Sequence, residues 1–149
     1  MRLKLTNSDD KDFIELVESL DRELAVRDGD DHAFYHQFNA IDMINNAIVA
    51  YEDKVSVGCG AIKEFDGLSM EVKRMYTLPD YRGKGIASKI VLRLELWAKE
   101  LGYPFCVLET GKQQPEAMAL YKKQGYEIIP NYGQYAGVTN SICFKKKLI

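Results

Sequence analysis

The chain runs to 149 residues, 46% hydrophobic and 28% charged, with 20 Lys and Arg against 22 Asp and Glu and a formal net charge of -2. This is the size of one ordinary domain, residues 1–149, around a single core, and the composition sets aside a two-domain enzyme, a disordered chain and a disulfide-built scaffold. The near-balance of charge predicts no nucleic acid and no membrane as partner, so any anion site has to be local.

No apolar run nears the roughly 18 residues that span a bilayer, and the first residues lack the apolar stretch of a secretory leader. Cys59, Cys106 and Cys143 form no C-x-x-C pair and sit among apolar or strand-forming neighbours. They read as reduced core thiols, which predicts a cytoplasmic protein.

Arg2 to Thr6 alternates Leu3 and Leu5 with polar residues as a half-buried strand does, and Asn7-Ser8 offers a turn and a helix cap. In the helix that follows, Phe13, Ile14, Leu16, Val17, Leu20 and Leu24 share one face, with Asp9, Asp10 and Asp12 in the first turn where the dipole favours acids. Asp28-Gly29-Asp30-Asp31 reads as a loop and Phe34 to Ile41 as a short helix. Strands over Ala47 to Glu52 and Val55 to Glu64 are joined at Asp53-Lys54 as a hairpin. After a turn at Asp66-Gly67, a third extended segment runs from Met70 to Leu78 and is ended by Pro79.

Ile86, Ile90, Val91, Leu94, Ala98 and Leu101 mark an amphipathic helix closed by Gly102. Phe105 to Leu108 is a buried strand reached through that helix, hence parallel to the strand before it. A further helix starts at Pro115, where the missing N–H costs nothing, and ends before Gly125. Strands over Tyr126 to Ile129 and Ser141 to Leu148 flank a loop rich in Tyr and Gly. The order predicts an α/β or α+β domain, a mixed sheet with helices on its faces.

The densest chemical signal is Tyr81-Arg82-Gly83-Lys84-Gly85-Ile86-Ala87, between the strand ending at Leu78 and the long helix. A turn with two glycines exposes backbone N–H groups, the helix start adds partial positive charge, and Arg82 and Lys84 add two full charges. Phosphate is the natural ligand of such a turn. A Walker loop would need G-x-x-x-x-G-K-[ST], and a Rossmann fingerprint a third glycine where Ser88 stands, so neither pattern fits.

The segment resembles motif A of the GNAT superfamily of acyl-CoA-dependent N-acyltransferases, [QR]-x-x-G-x-[GA], at Arg82, Gly85 and Ala87. Glu71 to Pro79 is similar to the family's fourth strand, and Ala117 to Tyr126 to its motif B, A-x-x-L-Y-x-x-x-G-[FY], in the family's order. The resemblance implies a mixed, mostly antiparallel sheet of about six to seven strands with splayed parallel fourth and fifth strands, flanked by about four helices.

It also implies acetyl-CoA as co-substrate, with no metal. The pantetheine arm would bond to the backbone of Met75, Tyr76 and Thr77 like an added strand. The diphosphate would lie over the turn from Arg82 through Gly83, Lys84, Gly85, Ile86 and Ala87 to Ser88. Gln114 stands where many relatives carry a cofactor-contacting asparagine. A bulge is usual in the fourth strand, and strict alternation from Met70 would put Arg74 on the face of Val72 and Tyr76, a conflict that a bulge relieves.

Transfer to an amine needs a neutral nucleophile, a polarised carbonyl and a proton for the departing thiolate. An α-amino group, with a pKa of about 8, is roughly one-tenth neutral at pH 7, whereas a lysine amine near 10.4 is neutral about once in several thousand molecules. By resemblance Tyr121 donates the proton to the thiolate, Glu71 holds the place of a general base, and a backbone N–H near Tyr76 polarises the carbonyl. The expected activity is N-acetylation of the primary amine of a small molecule, or second a protein, by direct attack in a ternary complex. The alternatives are a non-catalytic acyl-CoA-binding or sensing domain, which would need neither Glu71 nor Tyr121, and a phosphate-loop nucleotide binder. A homodimer is an expectation carried by the family alone.

Glu109 and Thr110 end the fifth strand where the splay opens, and Asn131-Tyr132-Gly133-Gln134-Tyr135 lies near the expected acceptor mouth. Asp28, Asp30 and Asp31 favour a cationic acceptor, which Tyr35, His36 and Gln37 could contact. His32 and His36 lack an acidic ligand at zinc-site spacing, and Lys145-Lys146-Lys147 reads as edge protection.

Overall fold

The computed structural model describes residues 1–29 and 43–148. In chain order the regular elements are β1 (Arg2–Thr6), α1 (Lys11–Asp28), β2 (Asn46–Glu52), β3 (Val55–Asp66), β4 (Ser69–Thr77), α2 (Ile86–Glu100), β5 (Phe105–Gly111), α3 (Pro115–Lys123), β6 (Glu127–Ile129) and β7 (Ser141–Lys147). The strands form one 7-stranded sheet ordered β1-β2-β3-β4-β5-β7-β6. Only β4 and β5 run parallel, as the helical crossover between them requires. Three α-helices stand among the described residues, against about four expected. The short helix read at Phe34 to Ile41 lies outside them, with His32, Tyr35, His36, Gln37 and the acids Asp30 and Asp31.

Helix α1 covers one face of the sheet, where Phe13, Leu16, Val17 and Leu20 pack on Ala47, Val49, Cys59, Ala61 and Tyr76. Helices α2 and α3 cover the other, with Ile86, Ile90, Val91, Leu94 and Tyr121 against Ile48, Val72, Leu108 and Phe144. Burial of such aliphatic side chains, about 1.5–3 kcal/mol each, holds the layers together. Leu101, read as part of the buried face, is the C-cap residue of α2 and is exposed. All three cysteines are buried free thiols, and burial pushes Cys59 and Cys106 up to about 12 and Cys143 to about 11. No helix among the described residues is long and apolar enough to cross a membrane.

The cap of α1 is Asp10, not the Asn7-Ser8 pair. Its carboxylate accepts from the N–H groups of Asp12 and Phe13 at 2.9 and 3.1 Å. Asn7 Oδ1 instead accepts from Asp9 N–H, and Ser8 Oγ from Ile44 N–H. All three side chains suit a cap; Asp10 takes the role because it stands directly before the first helical residue.

The expected bulge is in β4. Cys59 opposes Tyr76 while Ala61 opposes Lys73, so two steps along β3 match three along β4. Arg74 takes up the extra residue at φ +59, in the left-handed region, which costs an L-residue roughly 1–2 kcal/mol. Its side chain is buried and pairs with Asp21 of α1, Nη1 to Oδ1 3.0 Å. The slip sends Val72 and Met75 to the α2 face and Tyr76 to the α1 face.

Candidate active site

Strands β4 and β5 pair only at Ser69 with Phe105, Met70 with Cys106 and Glu71 with Val107. Past Glu71 the bulge turns β4 away, so both strands run on without each other and the β4 backbone edge has no described strand beside it on that side. A cavity of about 430 Å³ opens in this splay. Its walls are β4 from Glu71 to Thr77, Glu109 to Gly111 of β5, the turn before α2, one face of α1 and the Tyr121 side of α3.

The turn closes the cavity at one end. Gly83 and Gly85 have φ of +78 and +81, and a Cβ on either would meet nothing within 4 Å, so backbone conformation rather than space demands glycine. The helical ladder of α2 begins only with Lys89 N–H on the Gly85 carbonyl. Among the described residues, none accepts from the N–H groups of Gly83, Lys84, Gly85, Ile86, Ala87 or Ser88. Such successive free amides at a helix start make a cradle for an anion.

Tyr121 projects from α3 against Tyr126 and Phe144, with ring centroids 5.7 and 6.2 Å away. It is buried, and its hydroxyl bonds to no described residue. Burial first, then the Glu109 carboxylate, raises its proton affinity, so the phenol keeps its proton at neutral pH. Glu71 sits where β4 leaves β5. Its Oε2 accepts from the Tyr132 hydroxyl at 2.6 Å, and Oε1 lies 3.8 Å from Lys73 Nζ. Glu71 and Glu109 both act on the Tyr135 hydroxyl, raising it after burial, so the two carboxylates and this tyrosine share one end of the cavity.

The cavity lining contains Glu71, Met75, Tyr76, Thr77, Arg82, Gly83, Gly85, Ile86, Ala87, Ser88, Gln114 and Tyr121, all singled out from the sequence. Lys84 does not line it; its ammonium lies 5.2 Å over the Tyr81 ring. Arg82 turns its guanidinium to α1, forked onto Glu23 at 3.1 and 2.7 Å, with Nε on the Thr77 carbonyl at 2.9 Å. Glu23 also takes Arg27, which reaches on to Glu116 at the start of α3. These ion pairs bridge α1, the turn and α3, and sequence reasoning missed them, the one local signal being the i,i+4 spacing of Glu23 and Arg27. Gln114 is the N-cap residue of α3 but makes no side-chain cap, which leaves its amide to the cavity. Among the described residues no group of three or more His, Cys, Asp or Glu could hold a metal.

The sequence model of the acetyltransferase (GNAT) family matches residues 12–126, and the chain belongs to that family. An "IAA acetyltransferase" of Azospirillum brasilense is 37% identical over 102 residues, 68% of this chain and 67% of that protein. The uncharacterized N-acetyltransferase YjgM of Escherichia coli is 42% identical over 85 residues, 55% of this chain and 50% of that one. Matches to these curated relatives thus span half to two thirds of their length. A Klebsiella pneumoniae structure named for the acyl-CoA N-acyltransferases superposes with a TM-score of 0.83 at 25% identity, covering 99% of this chain and 97% of that one. A GNAT family acetyltransferase of Elizabethkingia anophelis, solved with acetyl-CoA bound, gives a TM-score of 0.68 at 16% identity over 98% and 97% of the two chains, a likeness of fold.

Proposed function

We propose that this chain moves an acetyl group from acetyl-CoA to the primary amine of a small molecule, by direct attack in a ternary complex. The observation that carries this reading is the turn before α2, whose amides from Gly83 to Ser88 bond to no described residue and border the splay. The residues fit the co-substrate. The amide cradle matches a diphosphate, the open edge of β4 beyond Glu71 offers peptide groups to a pantetheine arm, and the buried Thr77 hydroxyl beside that edge bonds to no described residue. The solved relative with acetyl-CoA bound shares this fold. Acetyl-CoA supplies a thioester carbonyl and a thiol leaving group.

The protein's own groups then divide the work. Glu71 Oε1 takes the proton that the incoming ammonium sheds, since Oε2 is engaged by Tyr132. As the amine nitrogen bonds the carbonyl carbon and the carbon–sulfur bond breaks, a backbone N–H near Tyr76 steadies the carbonyl oxygen. The Tyr121 hydroxyl gives its proton to sulfur and recovers one from the new amide nitrogen. The cleft between the acidic pair Glu71 and Glu109 suits a cationic acceptor.

The reading is tested by thermal shift with CoA, ATP and NAD, followed by thiol release over a panel of amines. Stabilisation by CoA alone and turnover with at least one small amine are expected, because a ligand of the native state raises apparent stability by mass action. Stabilisation by ATP or NAD but not CoA would point to a nucleotide binder. CoA binding without turnover over the whole panel would leave a sensing domain.

A further inference from the structure

Tyr132 belongs to the loop between β6 and β7, sixty-one positions from Glu71 in sequence, yet its hydroxyl donates to Glu71 Oε2 at 2.6 Å. The ring is held on two sides, by Phe65 of β3 at 4.6 Å and by Tyr135 at 6.0 Å between centroids. The loop is fastened in turn, with Asn131 Nδ2 donating to the carbonyls of Val138 and Ser141 at 2.9 and 3.0 Å. Burial first, then the Glu71 carboxylate, raises the proton affinity of the Tyr132 phenol, so it stays a donor across the working range. A fixed donor therefore occupies one oxygen of the carboxylate and fixes the rotation of the other.

We propose that Tyr132 is a positioning residue for the proton transfer, holding Glu71 so that Oε1 rather than Oε2 faces the acceptor amine. The inference rests on the reading of Glu71 as base. A hydrogen bond donated to a carboxylate favours its charged form. Other charged and titratable groups stand around Glu71. Lys73 on β4 lies 3.8 Å from Oε1, and Lys63 on β3 is the register partner of Glu71. Glu109 on β5 acts on the Tyr135 hydroxyl together with Glu71, and the Cys143 thiol on β7 feels both carboxylates. The two lysines bring positive charge and Glu109 negative charge to this end of the cavity, while Cys143, pushed up to about 11, is neutral at working pH. Among the described residues, Tyr132 is the group within hydrogen-bonding distance of Oε2.

Two measurements on the full chain separate this inference from the one beneath it. The Glu71 carboxyl is followed by carbon-13 NMR titration, assigned by its loss in Glu71→Gln. In Tyr132→Phe, which keeps the ring against Phe65, the midpoint should rise by about one pH unit, the scale of one hydrogen bond to a charged group. With the fastest amine of the panel, the acidic limb of kcat/KM should move up by the same amount while KM for acetyl-CoA stays put. Incorporation of 3-fluorotyrosine at position 132, a stronger donor of the same shape, should move both downward and serves if Tyr132→Phe folds poorly. A midpoint and limb unmoved by either change would overturn the role of Tyr132. A limb that survives intact in Glu71→Gln would instead overturn the base itself, whatever Tyr132 does to the titration.

Discussion

Helices α1 and α2 both follow strands of one sheet, yet their first turns are finished in opposite ways. In α1 the Asp10 carboxylate takes the N–H groups of Asp12 and Phe13, and Asp12 adds a second acid to the first turn. In α2 the cap is Gly85 at φ +81, with no side-chain cap and no acid in the first turn. An α-helix has orphan donors at its start in either case, and they must find acceptors somewhere. Where α1 closes them with its own chain it gains stability. Where α2 leaves them unbonded by any described residue, it forgoes that stability and keeps its donors turned to a cavity.

The contrast breaks most directly at the two glycines. In Gly83→Val/Gly85→Val the amides can no longer hold their present directions, because a β-branched residue at positive φ is a steric outlier. Acetyl-CoA binding should weaken about a hundredfold or more, the scale of two charge-assisted hydrogen bonds, as read by calorimetry. Binding retained within threefold would show that the grip lies elsewhere.

Tyr121→Phe separates grip from chemistry. Turnover should fall about a hundredfold, typical of a lost general acid, while the acetyl-CoA dissociation constant changes less than about twofold. Equal losses in both would return Tyr121 to a packing role. Giving α2 the finish of α1 sharpens the comparison further. In Ser88→Asp the free protein should gain about 0.3–1 kcal/mol from the dipole, and acetyl-CoA should bind about tenfold more weakly through repulsion of its diphosphate. Thermal melts with and without acetyl-CoA would show the two changes in opposite directions; a shift of the same sign in both would undo the argument.

The smallest effect is expected at the other helix. Asp10→Ala should cost about 1 kcal/mol in urea unfolding and leave acetyl-CoA binding unchanged. The Asp10 carboxyl sits below its ordinary value: burial raises it, but the Lys4 ammonium, the Phe13 N–H and the Thr6 hydroxyl together outweigh burial. A group depressed in the folded state contributes stability that is complete above its unfolded value, about pH 4, and is lost as pH falls through the folded one. The gap between the parent and Asp10→Asn should therefore narrow with acid. A gap that widens below pH 4 would contradict the assigned cap.

The strands and helices among the described residues were largely legible in the sequence, because apolar spacing follows burial. The two-glycine turn was legible too, since Gly83 and Gly85 fall between a strand and a helix start, where a turn at positive φ calls for glycine, and both adopt it. Side-chain direction was less so. Arg82 and Lys84 were read with the diphosphate from their charge and the resemblance to motif A, but Glu23, fifty-nine positions away, pulls the first to α1, and the second lies over Tyr81. The Tyr132 contact with Glu71 stayed hidden for the same reason: it joins two segments that only the finished sheet brings together. The choice of Asp10 over Ser8 as cap turned on a shift of two residues, within the usual uncertainty of a helix start.

Beneath α2 the sheet carries no side chains at two points. A Cβ added to Gly60 would stand 2.5 Å from Met75 Sδ and 2.9 Å from Ile90 Cγ2, and one added to Gly58 3.2 Å from Ile86 Cγ2. The helix is thus seated on bare strand, and Ile86, its first residue, is part of the seat. A methyl group at Gly60 would act like a shim under one end of a beam, tilting the whole rod and, with it, the tip that carries the unbonded amides. Damage of this kind would reach the binding end from a residue that never touches a ligand.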